Sequence, residues 1–412
     1  MAAAPTLALT PLDHQRLAEA LLLAEQAIGL SDPNPRVGCI VGLADGTVLG
    51  RGATQRAGEA HAEVMALRDA AALGCGTRGA TAWVTLEPCA HHGRTPPCSE
   101  ALLAAGIARV VVAVPDPFAE VDGRGLARLR AAGVEVALAE PASEVAVAAR
   151  ELNIGFFSRV LRRRPWLRLK IAASLDGRTA LANGQSQWIT GPAARADGHA
   201  WRRRASAVLT GIGTVLEDDP RLDVRAVPTV LQPQRVVVDS RLQTPPAARI
   251  LQPPGMVWIY TAELAGRADT AEADTAEADT AEADTVEAHR PGGAAARHAA
   301  LLATGQVDIR CAGRTASGKV DLEAMLADLA ARGINELHVE AGHKLNGSLL
   351  RAGLVDELLV YLAPRLIGQG REMAAFGPLA DLGEALPLRF VECARVGEDL
   401  RLRARPPGRE DF

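Results

Sequence analysis

The chain has 412 residues, 48% hydrophobic and 23% charged, enough apolar material for two or three domains of ordinary globular composition. No apolar run approaches the ~20 residues of a membrane-spanning helix, and aromatics at 3% argue against a stacking platform for single-stranded nucleic acid. A net charge of −4 gives no electrostatic footprint for nucleic acid, six cysteines are too sparse for a disulfide scaffold, and Met1–Thr6 shows no signal-like apolar core, so a cytoplasmic location is expected.

Thr10-Pro11-Leu12-Asp13 predicts a helix start, with a capping hydroxyl, a proline at the first helical position and an acid in the first turn. Leu17, Leu21, Ala24 and Ile28 then supply one apolar face. Val37–Val41 predicts a buried strand, His61–Leu73 a helix, Ala82–Thr85 a strand and Pro97–Ala105 a helix. Arg109–Val114 follows as a strand, Gly123–Ala132 as a helix and Val134–Leu138 as a strand, an alternation that predicts a layered α/β domain.

The pattern changes around Leu152–Phe157 and Arg162–Pro165, where a basic run ends in proline. We draw a first domain at residues 1–155 and a second at 156–412. Candidate strands of the second are Leu167–Ala173, Ala207–Leu209, Arg235–Val238, Met256–Tyr260, Glu336–Val339 and Glu357–Leu362. Residues 268–288 interrupt this set with four copies of an Ala-Asp-Thr-(Ala/Val)-Glu pentapeptide, eight acids and no base. A period of five matches neither helix nor strand and leaves no apolar stripe, so this tract is expected to be a solvated, disordered loop insertion.

His61-Ala-Glu63 and Pro88-Cys89 with Cys98 form the sharpest constellation in the chain. One imidazole and two thiolates make a tetrahedral zinc set with the fourth place left for water. Two thiolates neutralise the divalent charge, so the metal needs a carboxylate beside it as proton shuttle, and Glu63 is placed for that role. This is the His-x-Glu and Pro-Cys pattern of zinc deaminases, which attack an amino-bearing ring carbon. Eight residues separate the cysteines instead of the usual two, and Pro96-Pro97 makes the segment a loop. His91, His92 and Arg94 on it suit a polar or phosphorylated substrate. A purely structural zinc would need a fourth protein ligand, for which His91 or His92 is the candidate. Cys39, Cys75, Cys311 and Cys393 are assigned to packing or chance.

Ser31-Asp-Pro-Asn-Pro-Arg-Val-Gly-Cys39, His61-Ala-Glu-Val64 and Thr85-Leu-Glu-Pro-Cys-Ala-His-His-Gly-Arg-Thr-Pro-Pro-Cys98 resemble the bifunctional deaminase–reductases of riboflavin biosynthesis. The resemblance implies that Asn34 and Asp116 contact the pyrimidine. Met65 stands where that family often has histidine, a residue that is not a ligand. In the second half Gly211-Ile-Gly213 lacks the third glycine of a dinucleotide fingerprint. Leu169–Arg178, Ser186-Gln-Trp-Ile-Thr190, Gly213–Leu222 and Val339–Leu345 nevertheless resemble the reductase half of the same family.

That resemblance implies a cytidine-deaminase-like domain followed by a dihydrofolate-reductase-like one, with zinc and NADPH as cofactors. By it Ala172, Trp188, Thr214, Asp218, Ser240, Gly342, His343, Lys344, Leu345, Asn346, Gly347 and Ser348 contact the cofactor. Ser186, Arg202, Leu222, Arg225 and Glu340 contact the substrate, with Arg202 and Arg225 suited to a clamp on its 5-phosphate. Gly342, opening a helix, offers backbone donors to a phosphate. The expected reactions are hydrolytic removal of the C2 amino group of 2,5-diamino-6-(5-phosphoribosylamino)pyrimidin-4-one and NADPH reduction of its ribosyl group. Subunit pairing is also implied; nucleic-acid and membrane partners are not. A nucleoside or tRNA deaminase with an unrelated second domain, or a retired enzyme serving as a binding module, are the competing readings.

Overall fold

The computed structural model describes residues 8–90, 96–118, 123–263 and 291–412. Met1–Thr6, the loop residues His91, His92 and Arg94, and the acidic tract 268–288 lie outside the described residues. The chain forms two compact units, one of residues 1–166, 333–335 and 412, the other of residues 167–332 and 336–411.

In the first unit, Thr10 and Asp13 open helix α1 (Pro11–Ala24) with a reciprocal capping box, Asp13 N–H donating to Thr10 Oγ1 (3.2 Å) and Thr10 N–H to Asp13 Oδ2 (2.8 Å). Leu17, Ala20 and Ala24 on its inner face are fully buried. There follow β1 (Gly38–Gly42), β2 (Val48–Ala53), α2 (Ala62–Ala72), β3 (Thr81–Val84), α3 (Cys98–Ala104), β4 (Arg109–Val112), α4 (Arg124–Ala131), β5 (Glu135–Leu138), α5 (Glu144–Leu152) and α6 (Ile154–Arg162). The strands form one sheet in the order β2-β1-β3-β4-β5. β1 is antiparallel to β2 and β3, while β3, β4 and β5 are parallel, so helices return between them.

Two bare positions on β2 set the seat of α2. A Cβ at Gly52 would stand 2.2 Å from Ala62 O and 2.4 Å from Ala66 N, and one at Gly50 would stand 2.2 Å from Ala66 O. The helix backbone therefore lies directly on the strand. Helix α6 buries Phe156 and Phe157 in the first unit's core, where Phe157 stacks on Phe412.

The second unit contains β6 (Trp166–Ser174), β7 (Arg178–Leu181), α7 (Pro192–Arg204), β8 (Ala207–Gly211), α8 (Ile212–Asp218), β9 (Gln234–Val238), β10 (Val257–Thr261), α9 (Pro291–Ala303), β11 (Val307–Cys311), α10 (Leu322–Ala331), β12 (Glu336–Val339), α11 (His343–Arg351), β13 (Glu357–Ala363), β14 (Gly370–Glu372), β15 (Arg389–Val396) and β16 (Asp399–Arg405). Nine strands form a sheet in the order β11-β10-β9-β8-β12-β6-β13-β16-β15, and β14 pairs with β7 apart from it. β8 to β11 run parallel to one another; β16 and β15 add an antiparallel edge beside β13. The central strands read as continuous apolar runs such as Ala207-Val208-Leu209, as parallel sheets require.

The antiparallel edge is held by a buried ionic network. Arg168 donates to Glu336 (2.7 Å) and Glu357 (2.6 Å), and Arg403 and Arg405 also donate to Glu357 (2.9 and 2.7 Å). The Arg168 guanidinium lies 4.4 Å from the Trp201 ring centre. Among the described residues no helix is long and apolar enough to cross a membrane.

Candidate functional site

The turn into α2 presents His61 as the helix N-cap and Glu63 in its first turn; Cys98 is the first residue of α3, and Cys89 sits on the loop after β3. These elements bring His61 Nδ1, Cys89 Sγ and Cys98 Sγ within 4.8 Å of one another. The imidazole nitrogen is 3.7 Å from Cys89 Sγ and 3.3 Å from Cys98 Sγ. At the N-terminus of α3, the Cys98 backbone N–H donates to Cys89 Sγ at 3.3 Å. One nitrogen and two sulfurs converging this closely suit a tetrahedral zinc, whose fourth corner the described residues do not fill.

Hydrogen bonds from Cys98 and His61 hold the Cys89 thiol down at about 4, while the hydrogen bond to Cys89 and burial push Cys98 up. Burial, then the charge on Cys89, pushes the Glu63 carboxyl up to about 7. Glu63 is 3% exposed, so it faces the cluster and not bulk water. Asp116, also buried, is pushed up to about 7 by desolvation.

Asn34 lies on a turn closed on both sides, its N–H donating to Ser31 O (2.9 Å) and its carbonyl accepting from Ser31 Oγ (3.2 Å). Two residues that pattern reading missed hold this segment. Buried Asn153 pairs with the Arg36 backbone like a strand neighbour, taking its N–H (2.7 Å) and donating to its carbonyl (2.9 Å). Asn335 donates to Asp32 Oδ1 (2.8 Å) and Pro33 O (3.1 Å). Neither belongs to a short motif, and their partners are 117 and about 300 residues away in the chain, so only the fold reveals them.

In the second unit, residues between Lys170 and Arg371 line an open cleft of about 1730 Å³. Ala172, Trp188, Thr214, Asp218, Ser240, Gly342, His343, Lys344, Leu345, Asn346 and Ser348 line it, as do Ser186, Arg202, Leu222, Arg225 and Glu340. Gly347 does not line it. A Cβ there would stand 2.2 Å from Ala375 O, so this glycine serves a close backbone approach. Arg202 Nε and Nη2 donate to both oxygens of Glu340 (2.5 and 2.9 Å), and Arg225 Nη1 donates to Asp223 Oδ1 (2.8 Å). Both guanidiniums thus already hold carboxylates, and Arg225, with 52% of its side chain exposed, keeps the more accessible donors. Ser186 Oγ donates to Asp218 Oδ1 (3.3 Å), and the exposed Trp188 ring carries Arg195 4.7 Å from its centre.

Fold and site together define a zinc-binding deaminase joined to a nucleotide-dependent reductase. Residues 11–114 match the family model described as the cytidine and deoxycytidylate deaminase zinc-binding region, and residues 165–402 match the RibD C-terminal domain. The chain belongs to the RibD family of bifunctional deaminase–reductases of riboflavin biosynthesis. The riboflavin biosynthesis protein RibD of Escherichia coli (strain K12) is 41% identical over 403 residues, 95% of this chain and 98% of its own. That of Aquifex aeolicus is 37% identical, covering 94% and 97%. The solved structure of Acinetobacter baumannii RibD, form 1, superposes with a TM-score of 0.79 at 35% identity, covering 96% of this chain and 99% of that one. A Thermotoga maritima structure described as a diaminohydroxyphosphoribosylaminopyrimidine deaminase/5-amino-6-(5-phosphoribosylamino)uracil reductase gives 0.78 at 28% identity, with the same coverage. The first unit is cytidine-deaminase-like and the second dihydrofolate-reductase-like, and zinc and NADPH are the cofactors. A second half unrelated to a reductase is excluded by the match over residues 165–402.

Proposed function

We propose that the first unit converts 2,5-diamino-6-(5-phosphoribosylamino)pyrimidin-4-one to the corresponding uracil, and that the second reduces its ribosyl group to ribityl. The observation that carries the first half is the convergence of His61, Cys89 and Cys98 beside buried Glu63. These three side chains would hold a zinc ion, which would supply Lewis acidity to a neighbouring water. Glu63 is placed to take a proton from the attacking water and deliver it to the C2 amino nitrogen, so that ammonia leaves as a C–O bond replaces the C–N bond. Asn34 and Asp116 orient the pyrimidine, and the Asp116 carboxyl, raised to about 7, can either donate to or accept from its polar edge.

For the second half, the broad cleft lined by the predicted cofactor and substrate residues has room for more than one small ligand. NADPH supplies the hydride. Gly342 as N-cap of α11, with His343 and Lys344 following, presents backbone donors and positive charge for its phosphates. Ala172, Trp188, Thr214, Asp218, Ser240, Leu345, Asn346 and Ser348 complete that wall. Ser186, Leu222, Arg225 and the Arg202–Glu340 pair line the substrate end, where Arg225 meets the 5-phosphate.

We divide the chain into a deaminase portion ending at Trp166 and a reductase portion beginning at Leu167, with 268–288 an insertion in the latter. We place the protein in the cytoplasm, in keeping with six cysteines of which none is disulfide-bonded. Self-association is assigned to the open sheet edge at β15, where Phe390 is 69% exposed. Purified zinc-loaded protein given the diaminopyrimidine phosphate should release ammonia and then oxidise NADPH. Glu63→Gln should keep its zinc and stop releasing ammonia; a mutant as active as the parent would refute the assignment.

A further inference from the structure

Glu87 precedes Pro88-Cys89 and is 3% exposed, yet among the described residues its carboxylate meets no cation. It accepts four backbone N–H groups instead. Oε2 takes those of Asp116 (3.3 Å) and Gly123 (3.1 Å); Oε1 takes those of Gly125 (3.0 Å) and Leu126 (3.2 Å). A buried carboxylate satisfied only by main-chain donors is a clamp between chain segments, because charge-assisted bonds are the strong ones and each lost acceptor strands a buried donor.

The segments it joins are informative. Gly123, Gly125 and Leu126 are the N-cap and first turn of α4, where the helix dipole favours a negative charge. Asp116 is the buried acid assigned above to the pyrimidine. Gly125 lies so near the ligand loop that a Cβ on it would stand 2.0 Å from Pro88 O. On the other side of the loop, Thr85 Oγ1 accepts the Gly38 N–H of β1 (3.1 Å). The stretch from Thr85 to Cys89 is thereby pinned at both ends, to β1 through a hydroxyl and to α4 through a carboxylate.

We propose that Glu87 is a positioning residue of the deaminase site, fixing the Cys89 ligand loop and the Asp116 backbone at once through α4. The proposal rests on the assignment of Cys89 as a zinc ligand and of Asp116 as a substrate contact. Glu87 touches neither substrate nor metal. It supports two groups of different purpose, so its loss should disturb both metal retention and substrate affinity.

The test uses the full-length zinc-loaded protein and Glu87→Gln, Glu87→Ala and Glu87→Asp. Glutamine keeps the shape but turns an NH₂ toward backbone donors, so two of the four bonds are lost. Glu87→Gln should lose zinc to a competing chelator ~10–100-fold faster, the range seen when outer support of a metal ligand is removed. With cobalt in place of zinc, its visible absorption should shift, and KM for deamination should rise while NADPH reduction of the deaminated substrate is unchanged. Glu87→Asp should restore part of both effects, and Glu87→Ala should show them most strongly. Chelator release, cobalt spectrum and KM like the parent's in Glu87→Gln would overturn the proposal. So would equal loss of deamination and reduction in all three variants, the mark of general unfolding. A parent whose Glu63→Gln form still releases ammonia defeats the catalytic assignment instead, which separates the two failures.

Discussion

Arg202 and Glu340 face each other in the reductase cavity as a two-point pair, guanidinium fork against carboxylate, at 2.5 and 2.9 Å. Burial alone would raise Glu340, but Arg202 and Lys170 outweigh it and hold the carboxyl well below the usual range. Glu340 is therefore a fixed anion that can only accept hydrogen bonds. Arg202→Lys keeps the charge but not the planar fork, and the reductase KM should rise about 10-fold or more. Arg202→Met removes the two charge-assisted bonds and leaves Glu340 to Lys170 at 3.8 Å, which should cost about 1.5–3 kcal/mol in stability, read by chemical denaturation. Reductase kinetics and stability unchanged in both variants would refute this role for the pair.

Glu63 must be ionised to accept a proton, so deamination should increase with pH through its titration. Burial and the Cys89 charge place that carboxyl near 7, and a divalent cation held by the three ligand atoms lowers it. The acid limb of kcat/KM is therefore expected below pH 7, with activity lost as pH falls. Glu63→Gln should reduce kcat by about 10²–10⁴ at unchanged zinc content, and rates measured across pH would decide it.

Glu357 links stability to acid. Burial would raise its carboxyl, yet Arg168, Arg403 and Arg405 together hold it well below the ordinary value of 4.5. A carboxyl depressed on folding contributes stability above its unfolded pKa and forfeits it as pH falls toward the folded one. Thermal scans should thus show the reductase unit weakening progressively below about pH 4.5. Glu357→Gln should flatten that dependence and cost about 3–5 kcal/mol near neutrality, because Arg403 and Arg405 lose their shared partner.

Gly52→Ala tests the seat of α2. Its new methyl would collide with Ala62 O and Ala66 N, main-chain atoms with no rotamer to adopt. The helix must shift, at about 1–3 kcal/mol, carrying His61 and Glu63 away from the cysteines. Zinc content should fall while reductase turnover stays; full occupancy by elemental analysis would contradict the argument.

The metal set was legible because its chemistry is local: His61 and Glu63 share a helix turn, and a proline marks Cys89. The capping box at Thr10–Asp13 and central strands such as Glu336–Val339 were legible for the same reason. Strand β2 was hidden because Gly50 and Gly52 look like chain breakers, and only the helix lying on them explains their presence. β15 and β16 were missed because their arginines read as solvated surface, whereas Arg405 is buried against Glu357. Helix α6 was taken for a junction, since nothing nearby in the chain announces that Phe157 will meet Phe412. Glu87 sat inside the recognised motif, but its four partners lie 29 to 39 residues onward.

Because bare main chain at Gly50 and Gly52 determines how closely α2 approaches β2, the placement of its metal-bearing end is largely insulated from the choice of surrounding side chains. Engineers seeking altered pyrimidine preference have latitude at the walls proposed to face the ring, Asn34 and Asp116 among them, provided Gly50 and Gly52 are left untouched. Random libraries that spare them should retain far more metal-competent clones than libraries that do not.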